Sequence, residues 1–498
     1  MSKTKKLAFI ILTCLLLISS FACEKKDDGV LELRIYNWED YIDDGTDNGE
    51  KISTSVMEDW EQDYFERTGK EVRVVYNTFE TNEYMLNVLK TGSERYDLVC
   101  PSDYIIQKMI SEDMLEKLDY DGESYSLVPN YDDYGSPYIR KIFDEHTTLN
   151  KKTNEELSWT NYAIPYMWGT MGFTYNMDTV ETKDAQTWGI LWNTDYAKKS
   201  TAKNSVHDTY VAGVMYAKRD ELMKLKEDYE NGILDASSYN KKIDDIMNDV
   251  SDETIKLVEE KLIEMKNNFY GFEVDNGKTD ILNGTITINF CWSGDGVYSM
   301  DEAEEGEDGK QVFLGYEVPI EGSNVFFDGW VMPKGANTNL AQDFLNYLCS
   351  PEVAVRNMDF IGYTSVIAGD EVWELLLDNY SVEDGEEGEE VDLTYFFDGT
   401  LSDENLTDGR AIVTVSERGR QFDAQYPSEE TLVRCAVMKD FGDQNEKVLI
   451  MWENVKCGEI GPWLWVGLIM LIAFILLVVF YAIRDYNKKN RYKKYYKQ

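Results

Sequence analysis

Leu31, Leu33 and Ile35 alternate with charged residues and run into Tyr36-Asn37, a period of two that predicts a short strand. The spacing then changes to that of a helix, with Val56, Trp60, Tyr64 and Phe65 on one side. Ser53 or Thr54 can cap it and Gly69 can close it. EVRVVYNTF (71–79) predicts a second strand, and Asn82 can cap a helix through Tyr84, Met85, Val88 and Leu89 that stops near Gly92. YDLVC (96–100) predicts a third strand, broken by Pro101. Such a β-α-β-α-β series implies parallel strands covered by helices. Ligand crevices in these sheets lie beyond the carboxyl ends of the strands. Here those ends read Asn37-Trp38-Glu39-Asp40-Tyr41, Thr78-Phe79-Glu80 and Pro101-Ser102-Asp103-Tyr104, so acids and aromatic rings gather there.

A second α/β block follows. YAIPYMWGTMGFTYN (162–176) is apolar and β-prone, and residues 212–265 read as helix interrupted near Gly232. TITINFCWSGD (285–295) is a strand ending in Trp292 and Asp295. Residues 312–333 supply two more strands around a Glu-Gly turn, and 340–358 read as helix on both sides of Pro351. EDGEEGEE (383–390) reads as a solvated acidic loop. At 498 residues the chain exceeds what one hydrophobic core serves. The strand pattern restarts near Ile164, so two lobes are expected, with the chain crossing more than once. Lobe 1 takes 31–163 with about 327–425, and lobe 2 takes 164–326 with about 426–456.

The ends differ from the middle. Residues 1–22 read as an export signal: Lys3, Lys5 and Lys6 precede an apolar run from Leu7 to Phe21 and the small Ala22. Cys23 then stands where bacterial lipoproteins carry their lipid. Residues 463–483 hold no charge and, at about 1.5 Å per residue, could cover a roughly 30 Å hydrocarbon layer. A basic tail, 484–498, follows with seven Lys or Arg against Asp485. The expectation is therefore a C-terminal transmembrane helix, a cytoplasmic tail and an extracellular domain at the cell membrane.

Charge narrows the functional classes. Asp and Glu number 93 against 49 Lys and Arg, a net charge of −44. Nucleic-acid binding by phosphate neutralisation is excluded, because it needs the opposite surplus. A cationic partner fits. Two histidines, His146 and His207, leave little room for His-rich metal sites or His-dependent catalysis. The seven cysteines show no CxxC spacing, and Cys100 and Cys291 end apolar runs as buried thiols would. No cofactor is implied.

Several long phrases resemble the spermidine/putrescine-binding proteins of bacterial polyamine ABC importers. They are YNWEDYI (36–42), FERTGKEVRVVYNTFETNEYMLNVLKTG (65–92), YDLVCPSDY (96–104), IPYMWGTMGFTYN (164–176), WSGD (292–295), EGSNVFFDGWVMPKGA (321–336) and FLNYLCSPEVAVRNMDFIGYTS (344–365). The resemblance implies an α/β, two-lobed periplasmic-binding-protein-like fold of type II. It further implies a non-enzymatic receptor that hands a polyamine to a permease driven by an ATPase. Carried over by position, it implies ligand contacts at Trp38, Asp40, Tyr41, Ser102, Tyr104, Asp208, Trp292, Asp328 and Tyr363, with Phe326 replacing a wall tryptophan. Ser205 stands where many members have a second acid, and Met438 falls at a polar contact position.

The residue types suit that chemistry independently. A polyamine is an apolar rod carrying ammonium groups at intervals; flat rings suit its methylenes and carboxylates its nitrogens. A well-placed cation over a ring contributes roughly 0.5–2 kcal/mol, and carboxylate–ammonium hydrogen bonds are charge-assisted. Three alternatives stay open. One is a receptor of the same fold for another organic cation or an amino acid. Another is a tethered receptor that signals rather than feeds a transporter. The third is an extracellular hydrolase using Asp208 and Asp328 as acid and base.

Overall fold

A computed structural model of the chain describes residues 29–47, 49–305, 312–382, 387–416, 418–457, 470, 472, 474–481 and 483–484. Strand β1 (Leu31–Trp38) buries Leu33 and Ile35 completely, as its alternation requires. It pairs in parallel with β2 (Val72–Phe79), from Leu31 opposite Val72 to Trp38 opposite Phe79. On its other side it pairs with β3 (Leu98–Val99). Helix α1 (Val56–Thr68) connects β1 to β2 and buries Val56 and Trp60. Its cap is Ser55 rather than Ser53 or Thr54, because Glu58 three residues on completes a reciprocal capping box. Gly69, at φ 70°, closes it. Helix α2 (Asn82–Thr91) is capped by Thr81, not Asn82, and this frees the Asn82 amide for other work. Helix α3 (Asp103–Ser111) follows β3.

Two long strands tie the halves of the molecule together. In β4 (Ala163–Asn176) every residue but the last is buried. The other half of the sheet is built from β5 (Ser200–Lys203), β6 (Gly271–Glu273), β7 (Ile288–Trp292) and β8 (Leu314–Glu317). The second long strand, β9 (Ser323–Val331), is buried throughout. Short strands β10 (Thr364–Ser365) and β11 (Cys435–Ala436) complete an eleven-stranded sheet, in which the main path runs β6-β5-β7-β4-β9-β3-β1-β2. The first half of β4 pairs with β9 and β10, the second half with β7 and β8. Strand β9 reaches β11 at its start and β3 at its end. One sheet thus serves two lobes, through strands that are continuous across the junction.

Helices cover it as the apolar spacings predict. Residues 212–265 are carried mostly by four helices separated by short breaks, among them α4 (Val206–Ala217) and α5 (Asp252–Asn268). Helix α6 (Ser293–Glu305) follows β7 directly, and α7 (Thr338–Leu348) and α8 (Pro351–Ile361) flank the Ser350-Pro351 break. Part of the acidic run is ordered rather than loop: Glu389–Asp392 pairs with Ile412–Val415, which places the valines of 391, 413 and 415 together on a small ribbon.

The C-terminal expectation is overturned. Among the described residues no helix is long and apolar enough to cross a membrane. The transmembrane helix over 463–483, the cell-membrane placement and the cytoplasmic tail therefore fall. Residues 463–469, 471, 473, 482 and 485–498 lie outside the described residues, as do the signal 1–22 and Cys23.

Candidate ligand-binding cleft

Asp328 sits on β9 where the register with β4 shifts: Asp328 faces Met167, but the next residue, Gly329, faces Pro165. Such an irregularity re-aims side chains. It also turns the Gly329 N–H to the Pro101 carbonyl at 3.0 Å, which docks the Pro101-Ser102 turn on the strand. Ser102 occupies the cap position of α3 but leaves the helix uncapped. Its hydroxyl donates to Asp328 Oδ1 at 2.7 Å instead. The freed Asn82 amide supports this arrangement, donating to Ser102 Oγ at 3.1 Å and to the Tyr104 hydroxyl at 2.8 Å.

The end of β1 reaches the same carboxylate. Asp40, at φ 48°, takes the left-handed conformation that Asp tolerates and turns the chain back inward. Tyr41 then donates from its hydroxyl to Asp328 Oδ2 at 2.7 Å. Tyr166 of β4 donates to the Tyr41 carbonyl at 3.1 Å and packs edge-on against its ring. Tyr363 meets Tyr41 edge-on at 5.4 Å and Phe326 at 6.1 Å, and its hydroxyl donates to Asp295 Oδ1 at 3.1 Å.

Asp208 stands in the first turn of α4, where its N–H donates to Ser205 Oγ at 3.4 Å. It is 3% exposed, and its Oδ1 has no hydrogen-bond partner among the described residues. Burial raises its pKa, opposed by Ser205, Lys203 and Trp292. Asp328 is pushed up to about 6, by burial first and also by the negative charge of Asp208, while the Ser102 and Tyr41 hydroxyls hold it down. The two carboxylates therefore sense each other. A third acid, Asp103, is raised well above the carboxylate range by burial and by Asp328, and its oxygens accept the N–H groups of Tyr104 and Phe327.

Of the ten residues expected at the site, Tyr41, Ser102 and Asp328 are joined by direct hydrogen bonds, and Tyr104 is joined through Asn82. Tyr363 packs edge-on against Tyr41, and Phe326 edge-on against Tyr363. Asp208 and Trp292 share an electrostatic environment. Trp38 is half-buried against Phe79 with its indole N–H unpartnered among the described residues, and Asp40 is exposed. Neither joins the Asp328 network through a described hydrogen bond. Met438 contributes backbone only: its carbonyl accepts from Gln107 at 2.7 Å and its N–H donates to Asn324 at 3.2 Å.

Sequence reading missed Asn82, Tyr166, Lys203 and His207. His207 lies between Tyr104 at 3.7 Å and Phe441 at 3.9 Å, in near-parallel stacks, and its pKa is pushed down to about 3 by burial and then by Lys108. Its position beside Asp208 was the one available clue. Among the described residues no group of three or more His, Cys, Asp or Glu side chains is arranged to hold a metal ion.

The chain matches the bacterial extracellular solute-binding proteins over residues 60–369, and it belongs to that family. It is 28% identical over 359 residues to the putrescine-binding periplasmic protein PotF of Escherichia coli, covering 70% of this chain and 80% of that one. The putrescine-binding periplasmic protein SpuD of Pseudomonas aeruginosa is 28% identical over 441 residues, covering 86% of this chain and 92% of its own length. In structure it is similar to the spermidine/putrescine ABC transporter substrate-binding protein PotD of Streptococcus pneumoniae. That likeness has a TM-score of 0.53 and 23% identity, and covers 86% of this chain and 99% of the other. The resemblance read from the phrases and the two-lobed α/β fold both stand. The family is one of non-catalytic binding proteins, so the hydrolase reading of Asp208 and Asp328 is set aside.

Proposed function

We propose that this extracytoplasmic solute-binding protein captures a polyamine of the putrescine or spermidine kind and passes it to an ABC permease and its ATPase. The observation that carries the reading is the presence of two buried carboxylates, Asp208 with an unpartnered oxygen and Asp328 bonded to neutral hydroxyls. Such a pair is relieved by bringing in cations. Tyr41, Phe326, Tyr363 and Trp292 offer ring faces for the methylenes between them, and the names of the relatives point the same way. In this reading lobe 1 comprises 31–163 with about 327–425, lobe 2 comprises 164–326 with about 426–456, and the ligand closes the gap between them.

Titration calorimetry on the purified protein tests it. Saturable heat with putrescine or spermidine is expected, and Asp328→Asn should weaken it at least tenfold, since removing one member of a buried charge pair costs about 2–5 kcal/mol. Trp292→Ala should weaken binding while the melt stays cooperative. Absence of heat with both amines would dismiss the assignment.

A further inference from the structure

The cleft contains an ammonium group of its own. Lys203, the last residue of β5, is 1% exposed. Its Nζ lies 4.2 Å from the Trp292 ring centre, 3.1 Å from Asp295 Oδ2, 3.3 Å from Glu273 Oε1 and 2.9 Å from the Val274 carbonyl. A ring face, two carboxylates and a carbonyl are the surroundings that a ligand nitrogen would need. Lys278 adds a second cation, 3.8 Å from Asp295 Oδ1 and 5.0 Å from the Tyr298 ring centre.

We propose that Lys203 is a built-in substitute for one ligand nitrogen, so that the cleft selects amines with two cationic centres over those with three. The proposal rests on the polyamine reading above. Asp295, which also accepts from Tyr363, is committed to lysine. Burial works to neutralise Lys203, but Asp295 and Glu273 outweigh it and keep the cation in place. Burial and the neighbouring Asp328 raise the pKa of Asp103, and both its oxygens are taken by backbone N–H groups. Asp208 and Asp328, by contrast, form no ion pair with a lysine or arginine among the described residues, although Lys203 still acts on Asp208 at a distance. A third ammonium would have to enter beside Trp292, next to a lysine that already occupies the counter-charge, and a buried cation left unpaired is heavily penalised. Glu83 senses Asp208 but is exposed, where an ion pair is worth little.

Calorimetry with putrescine and spermidine decides the matter. The wild-type protein should bind putrescine at least tenfold more tightly than spermidine. Lys203→Met should shift that ratio at least tenfold towards spermidine, because Asp295 and Glu273 are then open to a ligand ammonium. Lys203→Met combined with Glu273→Gln, which deletes one charge of each sign, makes the same test should the single variant fail to fold. Spermidine binding as tightly as putrescine in the wild type, or an unchanged ratio in a folded variant, would overturn the proposal. Both amines binding equally removes the role of the lysine alone, whereas neither amine binding removes the functional reading beneath it. The wild-type ratio is decisive by itself if neither variant folds.

Discussion

Asp328 ties ligand capture to pH and to stability in opposite senses. Its pKa in the ligand-free protein is about 6 against an ordinary 3.8, chiefly because it is buried. A bound ammonium requires the ionised form, so the complex holds fewer protons than the free protein below about pH 6. Affinity for putrescine should be flat above pH 7 and fall towards tenfold per unit below pH 6. Calorimetry at pH 6 in buffers of different ionisation heat should register proton release, and a pH-independent affinity from 5 to 8 would contradict the assignment. The sign for stability follows from the same shift. A carboxyl whose folded pKa is raised contributes stability that is full below about pH 4 and lost as pH rises through about 6. At pH 7 the ligand-free protein therefore carries a strained charge. Asp328→Asn should raise its melting temperature, by roughly 1 °C for a gain near 1 kcal/mol in a chain of this size, while abolishing most of the binding. A lower melting temperature in that variant would mean that the hydrogen bonds from Tyr41 and Ser102 outweigh the desolvation.

Elements position those residues through close approaches that leave no space for a side chain. A Cβ on Gly294, at the start of α6, would lie 1.9 Å from the Tyr363 ring, and one on Gly169 in β4 would lie 2.2 Å from Ser293 Oγ. Within a helix Gly→Ala is ordinarily stabilising by about 1 kcal/mol. Gly294→Ala should do the reverse, driving the Tyr363 ring from its contact with Tyr41 and costing about 1–3 kcal/mol as other overpacked sites do. Thermal melts and polyamine titrations of that variant check it; a stabilised protein with unchanged affinity would refute the packing argument. Elements were also the scale most open to sequence reading. The period of two in β1 and the clustering of Trp38, Tyr41, Ser102 and Tyr104 at strand ends depend on near neighbours, which a linear pattern records. Capping was misplaced by one or two residues because Ser53, Thr54 and Ser55 are equivalent as hydroxyl acceptors until the Glu58 carboxylate chooses among them. Lys203 and His207 were illegible for a different reason. Their partners, Asp295 and Glu273 for one, Tyr104 and Phe441 for the other, come from segments that meet after folding. Hydropathy over 463–483 pointed to a spanning helix, but among the described residues no helix is long and apolar enough to cross a membrane.

At the scale of the whole molecule, the lobes are held face to face by more than the continuous strands. Helix α3 offers Gln107 to the Met438 carbonyl at 2.7 Å and Lys108 to Asp440 at 3.3 Å. His207, at the start of α4, fills the space between Tyr104 and Phe441. Its pKa near 3 leaves the imidazole neutral at physiological pH, so this stack is insensitive to pH between 5 and 8 and the pH dependence of binding falls to Asp328 instead. Ring pairs of this kind contribute about 0.5–1.5 kcal/mol each beyond the area they bury. His207→Ala removes two of them and touches neither Asp328 nor its hydroxyl donors. The closed state should therefore lose about 1–3 kcal/mol, which ligand binding must supply. Small-angle scattering should find the ligand-free variant larger than the wild type and restored to wild-type dimensions by saturating putrescine, with affinity reduced about 5- to 150-fold. If the variant keeps wild-type dimensions without ligand and binds with wild-type affinity, the stack is packing within a fixed body, and closure is governed by the carboxylates alone.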